Sequence, residues 1–363
     1  MKNTFGNNLT LTLFGESHGE YIGAVLDGIA PGVKIDRDNI TRRLNQRRPS
    51  GKISTARVEA DEYKIISGEL NGYTTGTPLT ILIPNENKKS GDYDKLASTP
   101  RPSHADYAAE CKYHGYQDKR GGGHFSGRIT APLVAIGAIL ESALQNKGIY
   151  IGTHISELHG AYDRGFENYQ EDIATLSSAI FPVLREGAEE SMVREIEKAR
   201  ALGDSVGGIL ESAVIGMPAG VGEPWFDTLE SMLAHALFAI PGVKGVEFGL
   251  GFAFADVYGS EGNDAFRIDG DKIITETNNS GGINGGISNG MPIIFRTAVK
   301  PTPSISRAQK TVNLADMTDT TIEISGRHDP AIIHRARAVV DTVCAIVIAD
   351  ALTGRFGTDY LKS

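Results

Sequence analysis

LTLTLFGESHGEYIGAVLDGI, residues 9–29, decides how the rest of the chain is read. Its runs LTLTLFG (9–15) and AVLDGI (24–29) have the short, apolar character of strands. They flank GESHG (15–19), which places Ser17 and His18 on a strand-end loop, a usual position for a proton donor on a rigid scaffold. A helix over Asp38–Leu44 with an acidic first turn follows. Two alanine-rich apolar helices, Ala131–Gln145 and Ala331–Leu352, are expected in the core. Strands and helices alternate without the regular βαβ rhythm of a doubly wound sheet, so the expected class is α+β. Gly28-Ile-Ala-Pro-Gly-Val33 leads to Asp38, Ile40 and Leu44, and Gly216-Met-Pro-Ala-Gly-Val221 leads to Asp227, Leu229 and Leu233. Both stretches use a strand, a Pro-Gly turn and a helix, which points to two pseudo-equivalent halves in one fold.

With 363 residues, 40% hydrophobic and 22% charged, the chain has material for a large core. It lacks a Pro/Ser-rich linker or low-complexity tract, so residues 1–363 are expected to form a single domain. MKNTFGNNLTLTLFG has neither the charged start nor the continuous apolar core of a signal peptide, and no stretch approaches a membrane span, so a cytoplasmic protein is expected. Cys111 and Cys344 lie far apart without metal-ligand spacing; both read as reduced packing residues, with no metal site. A net charge of −9 argues against a nucleic-acid or acidic-membrane binder. Between Asp38 and Glu59, however, stand Arg42, Arg43, Arg47, Arg48, Lys52 and Arg57 with no acidic residue among them. They form either an anion attractor or a solvated helix face followed by a loop.

Glycine, at 43 residues, gathers in GGGHFSG (121–127) and GGINGG (281–286), where backbone can approach a ligand. Neither stretch has the strand–GxGxxG–helix context of a dinucleotide fold, and no GxxxxGK[ST] phosphate loop is present. In RPSHAD (101–106), Arg101 can contact an anion and His104 can protonate a leaving group; a proline turn with a surface histidine explains the stretch equally. RGGGHFSGRIT (120–130) offers backbone N–H groups with His124, Ser126 and Arg128 for a phosphate or flavin, or else it is a glycine-rich hairpin loop. Lys300-Pro-Thr-Pro-Ser304 sets a lysine and hydroxyls in a proline-stiffened loop. In GRHDP (326–330), Asp329 can be the N-cap and Pro330 the first residue of the last helix, with or without a chemical role.

GESHG, RPSHAD, the serine–arginine loop before an alanine-rich helix, GGINGGISNG, KPTPS and GRHDP occur in the order seen in chorismate synthases. From about residue 10 to about residue 350 the chain therefore resembles that family. The resemblance implies an α+β single-domain sandwich, with helices layered between two antiparallel β-sheets related by an internal pseudo-twofold, and a homotetramer. It implies a trans-1,4 elimination of phosphate from 5-enolpyruvylshikimate 3-phosphate to give chorismate, dependent on reduced FMN. His18, with Ser17, matches the histidine beside the flavin; His104 would protonate the departing phosphate. Asp329 would accept a proton during hydrogen removal, supported by Ser126. Arg47, Arg48, Arg101, Arg128 and Arg327 would gather the substrate's carboxylates and phosphate or a nicotinamide nucleotide. His124, Phe125, Ser126, Pro241, Gly242, Gly285, Lys300, Pro301, Thr302, Pro303, Ser304 and Arg327 match flavin-contact positions, with Lys300 offsetting the negative reduced flavin.

Several positions depart from the family pattern: His124 stands for arginine, Phe125 for serine, Ile129 for an acidic residue and Ser103 for glycine, while the second nucleotide-contact basic position falls at Lys52, Ile53 or Arg57. The flavin's reductant is either NADPH or a separate flavin reductase; the acidic chain without a nucleotide fingerprint favours the latter. Two rival functions are a flavin-free phosphatase or lyase and a non-catalytic binder of phosphorylated ligands.

Overall fold

The computed structural model describes residues 2–49, 53, 60–86, 98–324 and 329–363. Apolar alternation organises two five-stranded antiparallel sheets. The first comprises β1 (Thr4–Phe5), β2 (Thr10–Gly15), β3 (Tyr21–Asp27), β4 (Lys64–Ser67) and β7 (Leu79–Pro84) in the order β1-β2-β3-β7-β4, beside a small hairpin of β5 (Glu69–Leu70) and β6 (Tyr73–Thr74). The second comprises β8 (Tyr150–Leu158), β9 (Ala161–Tyr162), β10 (Gly208–Ile215), β11 (Val243–Phe248) and β16 (Ile293–Val299) in the order β11-β16-β10-β8-β9. Three further hairpins pair β12 (Phe266–Asp269) with β13 (Lys272–Thr275), β14 (Ile283–Asn284) with β15 (Ile287–Ser288), and β17 (Gln309–Asn313) with β18 (Thr318–Ile322).

Between the sheets run α1 (Arg37–Arg47), α3 (Thr130–Gln145), α6 (Leu229–Phe238) and α8 (Ile333–Phe356). α3 packs on β3 and β7, α8 packs on β8 and β10, and the two helices pack on each other. The short α2 (Asp106–Tyr113) and α7 (Gly259–Gly262) lie in connections, and α4 (Tyr169–Ser178) and α5 (Ala188–Ala201) lie against the second sheet. The fold is thus the expected α+β sandwich.

The faint repeat is structural. The succession β2-β3-α1-β4-β7-α3 is matched by β8-β10-α6-β11-β16-α8, and the strand orders β2-β3-β7-β4 and β8-β10-β16-β11 correspond. Gly28 and Gly216, which open the two Pro-Gly turns, have φ of +86° and +81°. A Cβ at either would run into a main-chain carbonyl, that of Asn8 or that of Gly148, two residues before β2 or β8. Glycine is required twice for one reason, the close passage of the turn over the strand entry.

The helix layer is held by charge as well as by apolar packing. Arg43 of α1 is 1% exposed and reaches Glu141 of α3 through two hydrogen bonds, one of 2.8 Å, and Asp341 of α8 at 2.5 Å. Arg42 binds Asn39, the Ser177 carbonyl and Glu141. Arg42 and Arg43 are therefore held by internal partners and are neither a solvated face nor an external anion attractor. Burial disfavours the Arg43 cation, but the facing Glu141 and Asp341 carboxylates outweigh it and raise its pKa.

Other differences from the sequence reading have local causes. α1 begins earlier than expected because Asp36 caps the N–H groups of Asp38 and Asn39. α8 begins at Ile333 with no side-chain cap, so Asp329 and Pro330 are not its cap and first turn. Cys344 is buried, but Cys111 is exposed on α2 and is no packing residue; both are free. Gly127–Gln145 is long and apolar enough to span a membrane by composition, contrary to the sequence reading, and 78% of that stretch is buried inside the protein as a core helix.

Replacing Arg43 with methionine would remove the cation that Glu141 and Asp341 share, leaving each only a longer ion pair, with Arg42 at 3.4 Å and Arg337 at 3.7 Å. The expected loss is about 3–5 kcal/mol of unfolding free energy, measured by denaturant titration, because breaking a buried pair strands its charge.

Candidate active site

The candidate site grows from loops at equivalent ends of the two sheets. β2 ends at Gly15 and β7 at Pro84 in the first half, and β16 ends at Val299 in the second. After β2, the backbone N–H of Ser17 donates to the Gly123 carbonyl at 3.1 Å. Ser17 Oγ lies 2.9 Å from His18 Nδ1 and donates to the Gly121 carbonyl at 3.1 Å. Because the hydroxyl hydrogen goes to that carbonyl, Nδ1–H is the consistent donor to Ser17. His18 is buried, at 4% exposure.

RGGGHF is not a hairpin. Residues Arg120–Phe125 form an irregular 3-10 turn with Gly121, Gly122 and Gly123 all at positive φ. A Cβ on Gly121 would strike the His18 ring and Ser17 Oγ. A Cβ on Gly122 would stand 3.5 Å from His104 Cε1 and 3.8 Å from Ser126 Cβ, so Gly122 lies between those two side chains. Ser126 Oγ accepts the Arg128 N–H at 3.2 Å and caps the turn into α3. His124 donates from Nδ1 to the Gly15 carbonyl at 2.8 Å, and Phe125 meets Tyr113 edge-on. Ile129, where the family commonly has an acidic residue, is 6% exposed and joins the apolar core, so packing replaces a polar contact there.

RPSHAD folds back on itself. Ser103 has φ +58°, the left-handed conformation that glycine adopts without steric cost, which accounts for glycine being common there. His104 Nδ1 lies 2.6 Å from Asp106 Oδ1, and Arg101 pairs with both Asp106 oxygens at 2.7 and 2.8 Å. An open cleft beside them is lined by Arg101, Asp106, Asp118, Lys119, Gly122 and Phe125.

The second half closes on this loop. Lys300 Nζ donates to the Ser103 carbonyl, and Arg101 Nη1 to Ser304 Oγ at 3.4 Å. The Lys300 N–H donates to the carbonyl of Gly242, which follows Pro241. Burial, with Lys244 adding to it, lowers the Lys300 pKa. In the same loop, between Pro301 and Pro303, Thr302 Oγ1 is buried without a hydrogen-bond partner. Ser205 Oγ donates to the Thr302 carbonyl and the Val206 N–H to the Pro330 carbonyl, which ties Asp329's neighbour to the loop. Asp329 itself pairs with Arg335 of α8.

The arginines expected at the substrate are placed in two ways. Arg47, Arg48 and Arg128 converge on Asp61, whose side chain is fully buried; Arg47 Nη1 is at 3.1 Å and Arg48 Nε at 3.3 Å. Arg128 also binds Asn85 Oδ1 and the Pro84 carbonyl, and Arg47 binds Thr130 Oγ1 and the Gly127 carbonyl. Asn85 in turn donates to the Glu16 and Gly19 carbonyls, holding the His18 loop. Three guanidiniums thus meet at one buried carboxylate. Arg327, Lys52 and Arg57 lie outside the described residues, and Ile53 packs against the core.

Gly285 is not gathered with the rest. It forms the β14–β15 turn with Gly286, before β16, whereas Lys300 follows that seven-residue strand. At ~3.3 Å per residue the strand alone separates them by roughly 20 Å.

Sequence reasoning missed Asp61, Asn85 and Arg335 and gave no role to Asp106. Asp106 lay inside the quoted motif, two residues from His104. Asp61 has φ +50°, a backbone state with no signal in a single sequence.

Gly121→Ala is expected to displace His18 and lower turnover by about a hundredfold, the scale of a 1 Å misplacement. The measurement is kcat with the melting temperature as control.

A family model described as chorismate synthase matches residues 9–353. Chorismate synthase of Pyrococcus abyssi is 47% identical over 350 residues, covering 96% of this chain and 97% of its own. That of Thermococcus kodakarensis is 44% identical with the same coverage, and that of Methanosarcina barkeri 45% identical over 349 residues, 96% of this chain and 95% of its own. A solved structure titled "Crystal Structure of Chorismate Synthase" superposes with a TM-score of 0.77 at 27% identity, over 98% of this chain and 94% of its own. The chain belongs to the chorismate synthase family of lyases, whose reaction eliminates phosphate from 5-enolpyruvylshikimate 3-phosphate to give chorismate at the last common step towards the aromatic amino acids.

Proposed function

We propose that this elimination takes place between His104, Ser126 and the His18 loop, with reduced FMN held against the Lys300–Ser304 loop. The observation that carries the reading is the convergence of His18, His104 and Ser126 on the Gly121–Gly123 turn. The cofactor's fit rests on Thr302 Oγ1, a buried hydroxyl with no partner, in a loop whose Lys300 cation can face an anionic ligand. Thr302, Ser304, Lys300, Pro301, Pro303, Pro241, Gly242, His124 and Phe125 would hold it. Bound there, reduced FMN would supply the electron density that phosphate loss requires, with no net change in oxidation state over the reaction.

The chain's own residues do the rest. His104 gives the departing phosphate a proton from Nε2. His18, its Nδ1–H directed to Ser17, stands beside the cofactor. Asp329 accepts the proton removed from C6, with Arg335 holding its carboxylate. Arg47, Arg48, Arg101 and Arg128, with Arg327, take up the substrate's carboxylates and phosphate. Replacing His18, His104 or Asp329 with alanine is expected to lower kcat by about a hundredfold or more. The assay is anaerobic chorismate formation with photoreduced FMN, with oxidised FMN, and with FMN plus NADPH. Turnover only with prereduced flavin assigns reduction to a separate reductase; turnover with NADPH assigns it to this chain. Phosphate release without chorismate, or full activity in all three variants, overturns the reading.

We further propose a single-domain, cytoplasmic protein acting as a homotetramer. One apolar core cluster extends from Leu9 to Leu361 and includes residues of both halves. Phe252, Tyr258, Phe266, Ile268 and Ile273 are each at least 65% exposed, on the β12–β13 hairpin and the segment before it, and such a patch fits a second copy. Gly285 would then serve the flavin of a neighbouring copy. Sedimentation is expected to give a mass of four 38.8 kDa chains, and a stable active monomer would contradict it.

A further inference from the structure

Asp106 is the first residue of α2, where an aspartate commonly serves the helix N-terminus, yet the N-cap, Ala105, makes no side-chain cap. Instead the carboxylate turns back over the Arg101–His104 turn. Oδ2 accepts the Arg101 backbone N–H at 3.0 Å and Nε at 2.7 Å. Oδ1 accepts Arg101 Nη2 at 2.8 Å and lies 2.6 Å from His104 Nδ1. Arg101 Nη2 also stands 3.0 Å from His104 Nδ1. A carboxylate only accepts, so an unprotonated Nδ1 at 2.6 Å from Oδ1 would set two lone pairs against each other; Nδ1 therefore carries hydrogen and gives it to Oδ1. The Arg101–His104 approach is therefore a contact across a shared acceptor, not a hydrogen bond.

With Nδ1 so engaged, Nε2 is the nitrogen left to exchange a proton, on the ring edge beside Gly122 and Ser126. We infer that Asp106 is the positioning residue of the reaction: clamped by Arg101, it fixes the tautomer and orientation of His104 so that Nε2 faces the leaving group. This rests on the reading of His104 as proton donor. Burial works against the Asp106 anion, but the hydrogen bonds from Arg101 and His104 prevail and hold its carboxyl well below the usual range. The carboxylate is thus present throughout the working pH range as the acceptor of the Nδ1 hydrogen. The other charged groups near His104 are Arg101, Lys300 at the Ser103 carbonyl, His18 across the glycine turn, and Asp118 and Lys119 in the cleft beyond Asp106.

The test compares Asp106→Asn, Asp106→Glu, His104→Ala and the double variant His104→Ala/Asp106→Asn in the full chain. For Asp106→Asn, kcat is expected to fall at least ~tenfold with KM within about threefold, and the alkaline limb of kcat to move to lower pH as the imidazolium loses its anion. Asp106→Glu should recover part of the loss. In the His104→Ala background the same substitution should cost less than about twofold, since residues that act as a unit are not additive. Nitrogen-15 NMR of histidine-labelled protein should show Nδ1–H for His104 in the wild type and a changed tautomer signature in Asp106→Asn, whatever the activity. A folded Asp106→Asn protein with wild-type kcat, pH limb and tautomer overturns the inference, as does full additivity in the double variant. Full turnover in His104→Ala removes the donor reading and this role together; loss there with an unaffected Asp106→Asn removes only this role.

Discussion

Arg43, closed between Glu141 and Asp341, joins the three helices on which both sheets rest. α1 supplies the cation, and α3 and α8 supply one carboxylate each. Arg337 of α8 extends the group to the Leu176 and Ala179 carbonyls at the end of α4. Apolar faces alone tolerate sliding and rotation, whereas a buried guanidinium with two facing carboxylates is satisfied in few arrangements. The helix pair also comes very close, since a Cβ at Gly137 of α3 would overlap Thr342 of α8, next to Asp341. Charge and close approach thus set how one half sits against the other.

That setting matters because the site belongs to neither half alone. Ser17, His18 and Asn85 follow strands of the first sheet, while Lys300 and Asp329 follow or face strands of the second. The connection from 101 to 127 lies between them and touches both: Gly121 and Gly123 hold Ser17, and Ser103 receives Lys300. At the far end of α8, Asp350 accepts the N–H groups of Asn7, Asn8 and Leu9 and so anchors the entry to β2, the strand that carries the His18 loop. One helix therefore pairs with α1 and α3 in its middle and fixes the first sheet through its C-terminal half.

Much of this was legible in the sequence where local chemistry carries the signal. Short apolar runs marked β2 and β3, apolar composition marked α3 and α8, and the two Gly-to-Val stretches marked the pseudo-equivalent turns because each needs a glycine over a carbonyl. His18, His104 and Ser126 were singled out from short motifs, and the fold brings them to one turn. The rest depends on partners distant in sequence. Whether Arg43 faces water or Glu141 is decided 98 residues away, and nothing near Arg47 or Arg128 announces that Asp61 gathers them. Asp329 looked like a helix cap because Asp-Pro often is one, but Arg335, six residues on, takes its carboxylate instead. Lone-residue chemistry is visible in sequence; the carboxylates that orient it are set by packing.

The proposed anion-binding, proton-transferring site lies between the two halves at the Gly121–Gly123 turn. A crystal structure with 5-enolpyruvylshikimate 3-phosphate and reduced FMN bound tests it most directly. The substrate phosphate is expected within hydrogen-bond reach of His104 Nε2, with the flavin against Thr302 and Lys300. Substrate bound elsewhere, or with its phosphate turned away from His104 while the protein is catalytically competent, would contradict it.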